Sequence, residues 1–99
     1  MKREIKLIQQ RSNTSINFFD ASDDFKQLKQ TYITSGKLDD HGFEMSNNDL
    51  VKTWTLIFNT SEDYISFVNE EVQNTYWSNL LSYNASNSIS YSLEDNNIE

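Results

Sequence analysis

Residues 50–58, Leu-Val-Lys-Thr-Trp-Thr-Leu-Ile-Phe, form the strongest strand pattern in the chain. In an extended strand, alternate side chains point to opposite faces. One face would carry Leu50, Trp54, Leu56 and Phe58, and the other would carry Val51, Thr53, Thr55 and Ile57. Only Lys52 is charged, and a strand nearly free of charge on both faces is typical of the centre of a sheet. We therefore expect a central strand whose Trp54 face is covered by helices.

Residues 3–19 predict a first strand, either one long strand with a bulge or two strands joined by a hairpin turn. Residues 3–9 alternate imperfectly between apolar and polar, and residues 15–19 alternate in the opposite phase. Because a shift of one residue exchanges the two faces, one continuous strand would need a bulge within residues 10–14. A hairpin turn in residues 10–14 is the alternative, and we favour the long, bent strand.

Two helices are predicted from their end signals and apolar spacing. The first begins at Ser22 or Asp20 as N-cap and ends before Gly36, with an apolar stripe at Phe25, Leu28, Tyr32 and Ile33. The second begins after Thr60, with Asp63 at the capping-box position. Apolar residues at positions 64, 68, 72, 76 and 80 predict one helix that continues to about residues 81–83.

Two further strands complete the predicted order. Residues 41–45 alternate and precede the turn-forming run 46–49, so they form a hairpin with the central strand. Residues 89–93 alternate as a half-exposed strand. The resulting order, β-α-β-β-α-β, predicts an α+β domain over residues 1–93 with a ferredoxin-like antiparallel sheet and two helices on one face. Residues 94–99 are expected to form a polar tail.

The sheet face opposite the helices has no predicted cover. Val51 and Ile57 lie on it, and an apolar sheet face is rarely left in water by so small a domain. We therefore expect a homodimer, or a contact with another protein, through this face. At the end of the second helix, Trp77, Leu81 and Tyr83 lie off the core stripe and are further interface candidates, although packing under the last strand explains them equally well.

Composition excludes several classes of protein. The absence of Cys excludes disulfides, thiolate metal sites and cysteine nucleophiles, and two Gly are too few for a phosphate-binding loop. Fifteen acidic residues against eight basic ones, a net charge of −7, disfavour nucleic-acid binding. No apolar run is long enough for a membrane span, and Met1–Ile5 lacks the apolar core of a signal peptide, so we expect a cytoplasmic protein.

The sequence contains one cluster with metal-ligand chemistry, Asp39, Asp40, His41 and Glu44. Aspartates are common in turns, and we interpret this cluster as a solvated loop that holds no metal. His41 is the only histidine, and no serine has the glycine context of a nucleophile elbow. We therefore predict no catalytic residue and no cofactor.

Three segments resemble the dimeric α+β barrel proteins of the antibiotic-biosynthesis-monooxygenase type. They are His41-Gly42-Phe43, the strand that contains Trp54, and residues 59–64 (Asn-Thr-Ser-Glu-Asp-Tyr) leading to Phe67. The family pattern is a Gly-Phe pair opening the second strand, a Ser-rich cap after the third strand, and a helix with aromatic anchors. The resemblance spans residues 41–68. It implies a cavity between sheet and helices, lined by Phe43, Trp54, Phe58, Tyr64 and Phe67.

Three functions are compatible with these observations. We favour a non-enzymatic protein-interaction or structural module. Its Asn- and Ser-rich, Pro-free composition suggests a phage protein, located in the host cytoplasm or the virion. The resemblance implies the first alternative, a dimeric small-ligand protein or a cofactor-poor monooxygenase. The second alternative is an acidic inhibitor that mimics nucleic acid, because residues 53–99 contain seven acids and no Lys or Arg.

Overall fold

The structure is a computed structural model that describes residues 1–98, and it has an α+β architecture. One four-stranded antiparallel sheet and three helices make up these residues. The elements are β1 (Lys2–Gln10), α1 (Asp23–Thr34), β2 (Leu38–Met45), β3 (Val51–Phe58), α2 (Ser61–Val68), α3 (Glu71–Ser86) and β4 (Ser90–Ile98). The α+β class expected from the sequence is confirmed.

The strand order in the sheet is β2-β3-β1-β4, so β3 pairs on both sides, as its pattern predicted. Leu7 lies opposite Trp54 and Ile5 lies opposite Leu56, which places the apolar faces of β1 and β3 on the same side of the sheet. The helices pack on that side. The core contains Ile5, Leu7, Phe25, Tyr32, Leu38, Trp54, Leu56, Phe58, Phe67, Tyr76 and Leu80. Leu50 lies just before β3 and is half-buried.

Two predicted helix starts are confirmed by their side-chain caps. The Ser22 hydroxyl accepts a hydrogen bond from the Phe25 N–H at 3.3 Å, and the Thr60 hydroxyl accepts one from the Asp63 N–H at 3.1 Å. Gly36 follows the C-cap of α1 with φ of 76°, in the left-handed region that glycine adopts without strain. These local signals therefore act as the sequence predicted.

The expected long first strand is wrong, because residues 11–22 form a loop. Strand β1 ends at Gln10, and the Arg11 guanidinium donates hydrogen bonds to the carbonyl oxygens of Asp49 and Ile16, which turns the chain away. The Asn13 side chain accepts a hydrogen bond from the Ser15 N–H at 3.0 Å, an Asx turn. This turn chemistry overrides the alternation of residues 15–19. The sheet does contain a bulge, but it lies in β2 between Asp40 and Phe43.

The expected single second helix is also wrong, because α2 and α3 are separate helices. Asn69 is the C-cap of α2, and Glu70 precedes α3 with an extended backbone. Residues four apart in a helix are displaced by about 40° around its axis, so positions 64 and 80 are about 160° apart and cannot face one core. A break in the helix lets Tyr64 and Leu80 both pack on the sheet.

The last strand is longer than expected. Strand β4 continues to Ile98, so residues 94–98 pair with β1 and do not form a tail. Asp95 lies opposite Ile5 and Lys2 lies opposite Ile98. Backbone pairing with β1 thus makes this polar segment part of the sheet, although its side chains do not show the alternation of a strand. Glu99, the end of the expected tail, lies outside the described residues.

Candidate functional site

A cleft of about 240 Å³ lies between the helices and the sheet. Its walls are largely apolar and aromatic. They are formed by Ile5, Leu7, Phe25, Trp54, Leu56, Phe58, Tyr64, Phe67, Val68, Gln73, Asn74, Tyr76, Trp77 and Leu93. These residues come from β1, β3, β4 and all three helices of the described chain. The cleft is therefore formed by the packing of these elements and not by one sequence motif.

The cleft exists because the helices cover the sheet unevenly. Phe25 of α1 is 2% exposed, and its ring stacks on Tyr76 at 3.8 Å and meets the edge of Phe67 at 5.9 Å. At the other edge of the sheet, Tyr91 and Leu93 of β4 are each 46% exposed. The aromatic packing therefore closes one side of the helix–sheet space and leaves the β4 side open to solvent.

The polar groups of the cleft are neutral. Burial raises the pKa of Tyr76 to about 12, with a smaller contribution from Asp20. Burial also raises the pKa of Tyr64, and Asp95 adds to this effect while Arg3 opposes it. Both phenols are therefore protonated at neutral pH and act as hydrogen-bond donors. With the amides of Gln73 and Asn74, they offer hydrogen bonds to an uncharged ligand.

An ion pair supports Tyr64 beside the cleft. The Arg3 guanidinium donates to both carboxylate oxygens of Asp95, at 2.8 and 2.7 Å, which joins β1 to β4. The hydrogen bond from Arg3 is the main cause that lowers the pKa of Asp95. The same guanidinium lies over the Tyr64 ring, 4.6 Å from its centroid. The ring is thus held between the protein core and a charged pair.

Four of the five residues predicted for a cavity line this cleft, namely Trp54, Phe58, Tyr64 and Phe67. Phe43 does not, because it lies on the edge strand β2 and is 55% exposed. Sequence reasoning did not find Gln73, Asn74 or Leu93. No signal in the sequence distinguishes these residues. They line the cleft because α3 is a separate helix from α2 and because β4 pairs with β1.

The residues predicted for an interface divide into two groups. Val51 and Ile57 are half-buried on the sheet face that no helix of the described chain covers. By contrast, the Trp77 ring lines the cleft and meets Tyr91 edge-on at 5.7 Å. Leu81 packs against the core. The Tyr83 hydroxyl donates a hydrogen bond to the Asn17 carbonyl oxygen, so the second group makes contacts within its own chain.

The acidic cluster near His41 is arranged around Asp40. The Asp40 carboxylate accepts hydrogen bonds from the Trp54 indole and the Gly42 N–H, both at 2.8 Å, and pairs with the Lys29 ammonium at 2.8 Å. Burial would raise the pKa of Asp40, but these contacts together lower it. Within residues 1–98, no three acidic or histidine side chains are grouped as metal ligands. These hydrogen bonds therefore stabilise the β2 bulge between Asp40 and Phe43.

Comparisons with known proteins identify a similar fold. The chain matches no family model, and no curated protein matches it. A crystal structure from Bacteroides thetaiotaomicron VPI-5482 is similar, with a TM-score of 0.69 at 13% identity, over 98% of this chain and 97% of that one. That protein is described as a conserved protein of unknown function and a possible oxidoreductase. At this identity the likeness concerns the fold alone.

No helix in residues 1–98 combines the length and the apolar character that crossing a membrane requires.

Proposed function

We propose that this protein binds a small, mainly apolar molecule in the cleft between its helices and its sheet. The observation that supports the proposal is the cleft itself, about 240 Å³ with aromatic walls and a few neutral polar groups. Ligand sites in proteins typically combine apolar walls with a small number of placed hydrogen-bonding groups. Tyr64, Gln73 and Asn74 supply these groups.

The size of the cleft limits the ligand. A cavity of about 150 Å³ holds benzene, and typical ligand pockets begin at about 300 Å³. A cleft of about 240 Å³ therefore suits one substituted aromatic ring or a small bicyclic ring system. The neutral phenols and amides favour an uncharged ligand, because a buried charge would need an oppositely charged partner.

The proposed architecture is the ferredoxin-like one, of the dimeric α+β barrel type. The order β2-β3-β1-β4, with antiparallel neighbours, and the packing of the helices on one face support it. The structural neighbour is described as a possible oxidoreductase, so turnover of the bound molecule is the alternative to binding alone. We favour binding over turnover, because the residues that line the cleft include no carboxylate and no imidazole.

The proposed dimer uses the uncovered sheet face. Ile8, Val51 and Ile57 are half-buried on this face, and so are Glu4 and Lys6 on β1. Glu4 lies opposite Ile57 and Lys6 lies opposite Thr55, so one acidic and one basic side chain lie beside the half-buried residues of β3. A face that carries both charges can pair with itself about a two-fold axis, which supports a second copy of this chain as the partner.

The ligand proposal is tested with indole and p-cresol, two neutral probes of the expected size. We expect at least one of them to raise the melting temperature of the protein and to shift the amide resonances of residues 73–77. The variant Leu93→Trp should fill the cleft mouth and abolish both effects, since Leu93 is 46% exposed and accepts a larger side chain.

The control is Ile65→Trp, which enlarges a 50% exposed residue of α2 outside the cleft lining. It should leave probe binding unchanged. If neither probe shifts any resonance of the cleft in the wild type, or if Leu93→Trp binds them as tightly as the wild type does, the proposal is wrong.

A further inference from the structure

Two cations and two aromatic rings alternate in a stack at the start of β3. The Arg11 guanidinium lies 4.6 Å from the centroid of the Phe18 ring, and the Lys52 ammonium lies 5.5 Å from the same centroid. The ammonium also lies 3.9 Å from the centroid of the Phe43 ring. We call Arg11, Phe18, Lys52 and Phe43 the cation–aromatic stack.

The fold builds this stack from three separated segments. Lys52 lies on the helix-covered face of β3, where Met45 of β2 is its partner on one side and Gln9 of β1 on the other. The loop 11–22 brings Phe18 over this end of the sheet. Arg11 is fixed there because its guanidinium donates to the carbonyl oxygens of Asp49 and Ile16, at 2.6–2.9 Å.

The positive charge of the stack has no carboxylate partner in residues 1–98. The ion pairs of that part of the chain do not include Lys52 or Arg11, and Asp20 pairs with Lys26 at 3.6 Å. Burial lowers the pKa of the Lys52 amine, Asp20 raises it, and Arg11 lowers it. A half-buried ammonium beside a second cation would gain from an added anion.

An exposed apolar shelf adjoins the ammonium. Phe43 is 55% exposed and Met45 is 43% exposed, and both lie on the same face of the sheet as Lys52. Neither Lys52 nor Phe43 lines the cleft, so this region is separate from the proposed ligand site. An apolar group that rested on the shelf would lie beside the unpaired charge.

We propose that the cation–aromatic stack is a binding site for a small carboxylate with an apolar body, the carboxylate on Lys52 and the body on Phe43 and Met45. Cation–π contacts hold the ammonium in place but leave its N–H groups without an acceptor among residues 1–98. A carboxylate supplies that acceptor through a charge-assisted hydrogen bond. This inference goes beyond the proposed function, because it does not involve the cleft.

The test uses benzoate as the probe, with benzyl alcohol as its neutral counterpart and acetate as the carboxylate without a ring. Titration is followed by the amide resonances of residues 43–45 and 51–53. We expect saturable shifts with benzoate, at least about 10-fold weaker binding in Lys52→Gln, and a change below about twofold in Lys37→Gln. Lys37 is a suitable control because, in the part of the chain that the structure describes, it lies over a single ring, 5.5 Å from the centroid of Tyr32.

A second variant tests the apolar shelf and does not depend on the folding of Lys52→Gln. Phe43→Ala changes an exposed side chain and should lower the affinity for benzoate to that for acetate. The proposal is overturned if benzyl alcohol binds as tightly as benzoate, or if Lys52→Gln or Phe43→Ala binds benzoate unchanged. It is also overturned if wild-type shifts are absent or confined to cleft residues such as Trp77 and Leu93.

Discussion

The two faces of β3 differ although they belong to one strand. On the helix side, Trp54 and Leu56 are each 8% exposed and Phe58 is 1% exposed. On the other side, Val51, Thr53, Thr55 and Ile57 are only half-buried. Both faces are poor in charge, yet only one has a cover within the described chain. A strand pattern that is poor in charge therefore indicates that both faces suit burial, but it does not indicate what covers each face.

The covered face is filled by a few large rings. Phe58 packs against Phe67 at 5.3 Å and against Tyr64 at 5.2 Å, and Phe25 meets Trp54 edge-on at 6.3 Å. A small domain buries a smaller fraction of its surface than a large one, so each aromatic residue carries a large share of the core. The side chains of β3 on the open face are all β-branched, and they suit contact with another flat surface.

The largest expected effect concerns the covered face. Trp54→Ala should lower the free energy of unfolding by about 3–5 kcal/mol, because it removes a buried ring and the hydrogen bond to Asp40. Thr53→Ala, one residue away on the open face, should cost less than about 1 kcal/mol. Urea titration of both variants measures the contrast, and similar losses would show that the two faces are packed alike.

An intermediate effect is expected at Asp40, which supports Trp54 from β2. Its folded-state pKa lies below the ordinary value of 3.8, so it stabilises the fold above that pH, and the contribution disappears as pH falls through the folded pKa. Asp40→Asn should therefore cost about 1–2 kcal/mol at pH 7, and the difference from wild type should shrink below about pH 4.

Urea titrations at pH 7 and at pH 3 measure this difference. The control is Asp39→Asn, whose side chain is 75% exposed and pairs with His41. It should change stability by less than about 0.5 kcal/mol. A difference between Asp40→Asn and wild type that does not depend on pH would contradict the assigned role of the carboxylate.

The smallest effect on the fold, and the sharpest on association, is expected on the open face. Ile57→Lys should leave the monomer folded, with a loss of about 1 kcal/mol or less, and should dissociate the proposed dimer by placing a charge in its interface. Sedimentation should show about 23 kDa for the wild type, twice the chain mass of 11.6 kDa, and 11.6 kDa for the variant.

The matched control for association is Ile65→Lys, at an exposed position of α2. It should sediment like the wild type. If the wild-type chain sediments as a monomer at high concentration, the homodimer proposal is wrong, and a different protein is the candidate partner for the open face.

Much of the local structure could be predicted because its causes are local. The caps at Ser22 and Thr60, the end of α1 at Gly36 and the central position of β3 each follow from neighbouring residues. Of the predicted cavity residues, Trp54, Phe58, Tyr64 and Phe67 line the cleft, since large aromatic residues on covered elements meet in the same core.

Other features depend on contacts between distant segments. The Arg11 guanidinium donates a hydrogen bond to the carbonyl oxygen of Asp49, 38 residues away, and turns the chain. Residues 15–19 therefore form no strand, although their side chains alternate. The 94–98 segment becomes a strand because its backbone pairs with β1, a contact that side-chain pattern does not encode.

The class of the fold, the starts of α1 and α2 and the two faces of β3 that suit burial could be predicted from the sequence alone. These follow from periodicity and capping, which act over a few residues. Three features depend on how the folded chain packs: the break between α2 and α3, the cleft beside β4, and the stacking of Lys52 between Phe18 and Phe43. The cleft and the stack join residues that are far apart in the chain, and the break at residues 69–70 is needed for Tyr64 and Leu80 to pack on the same sheet.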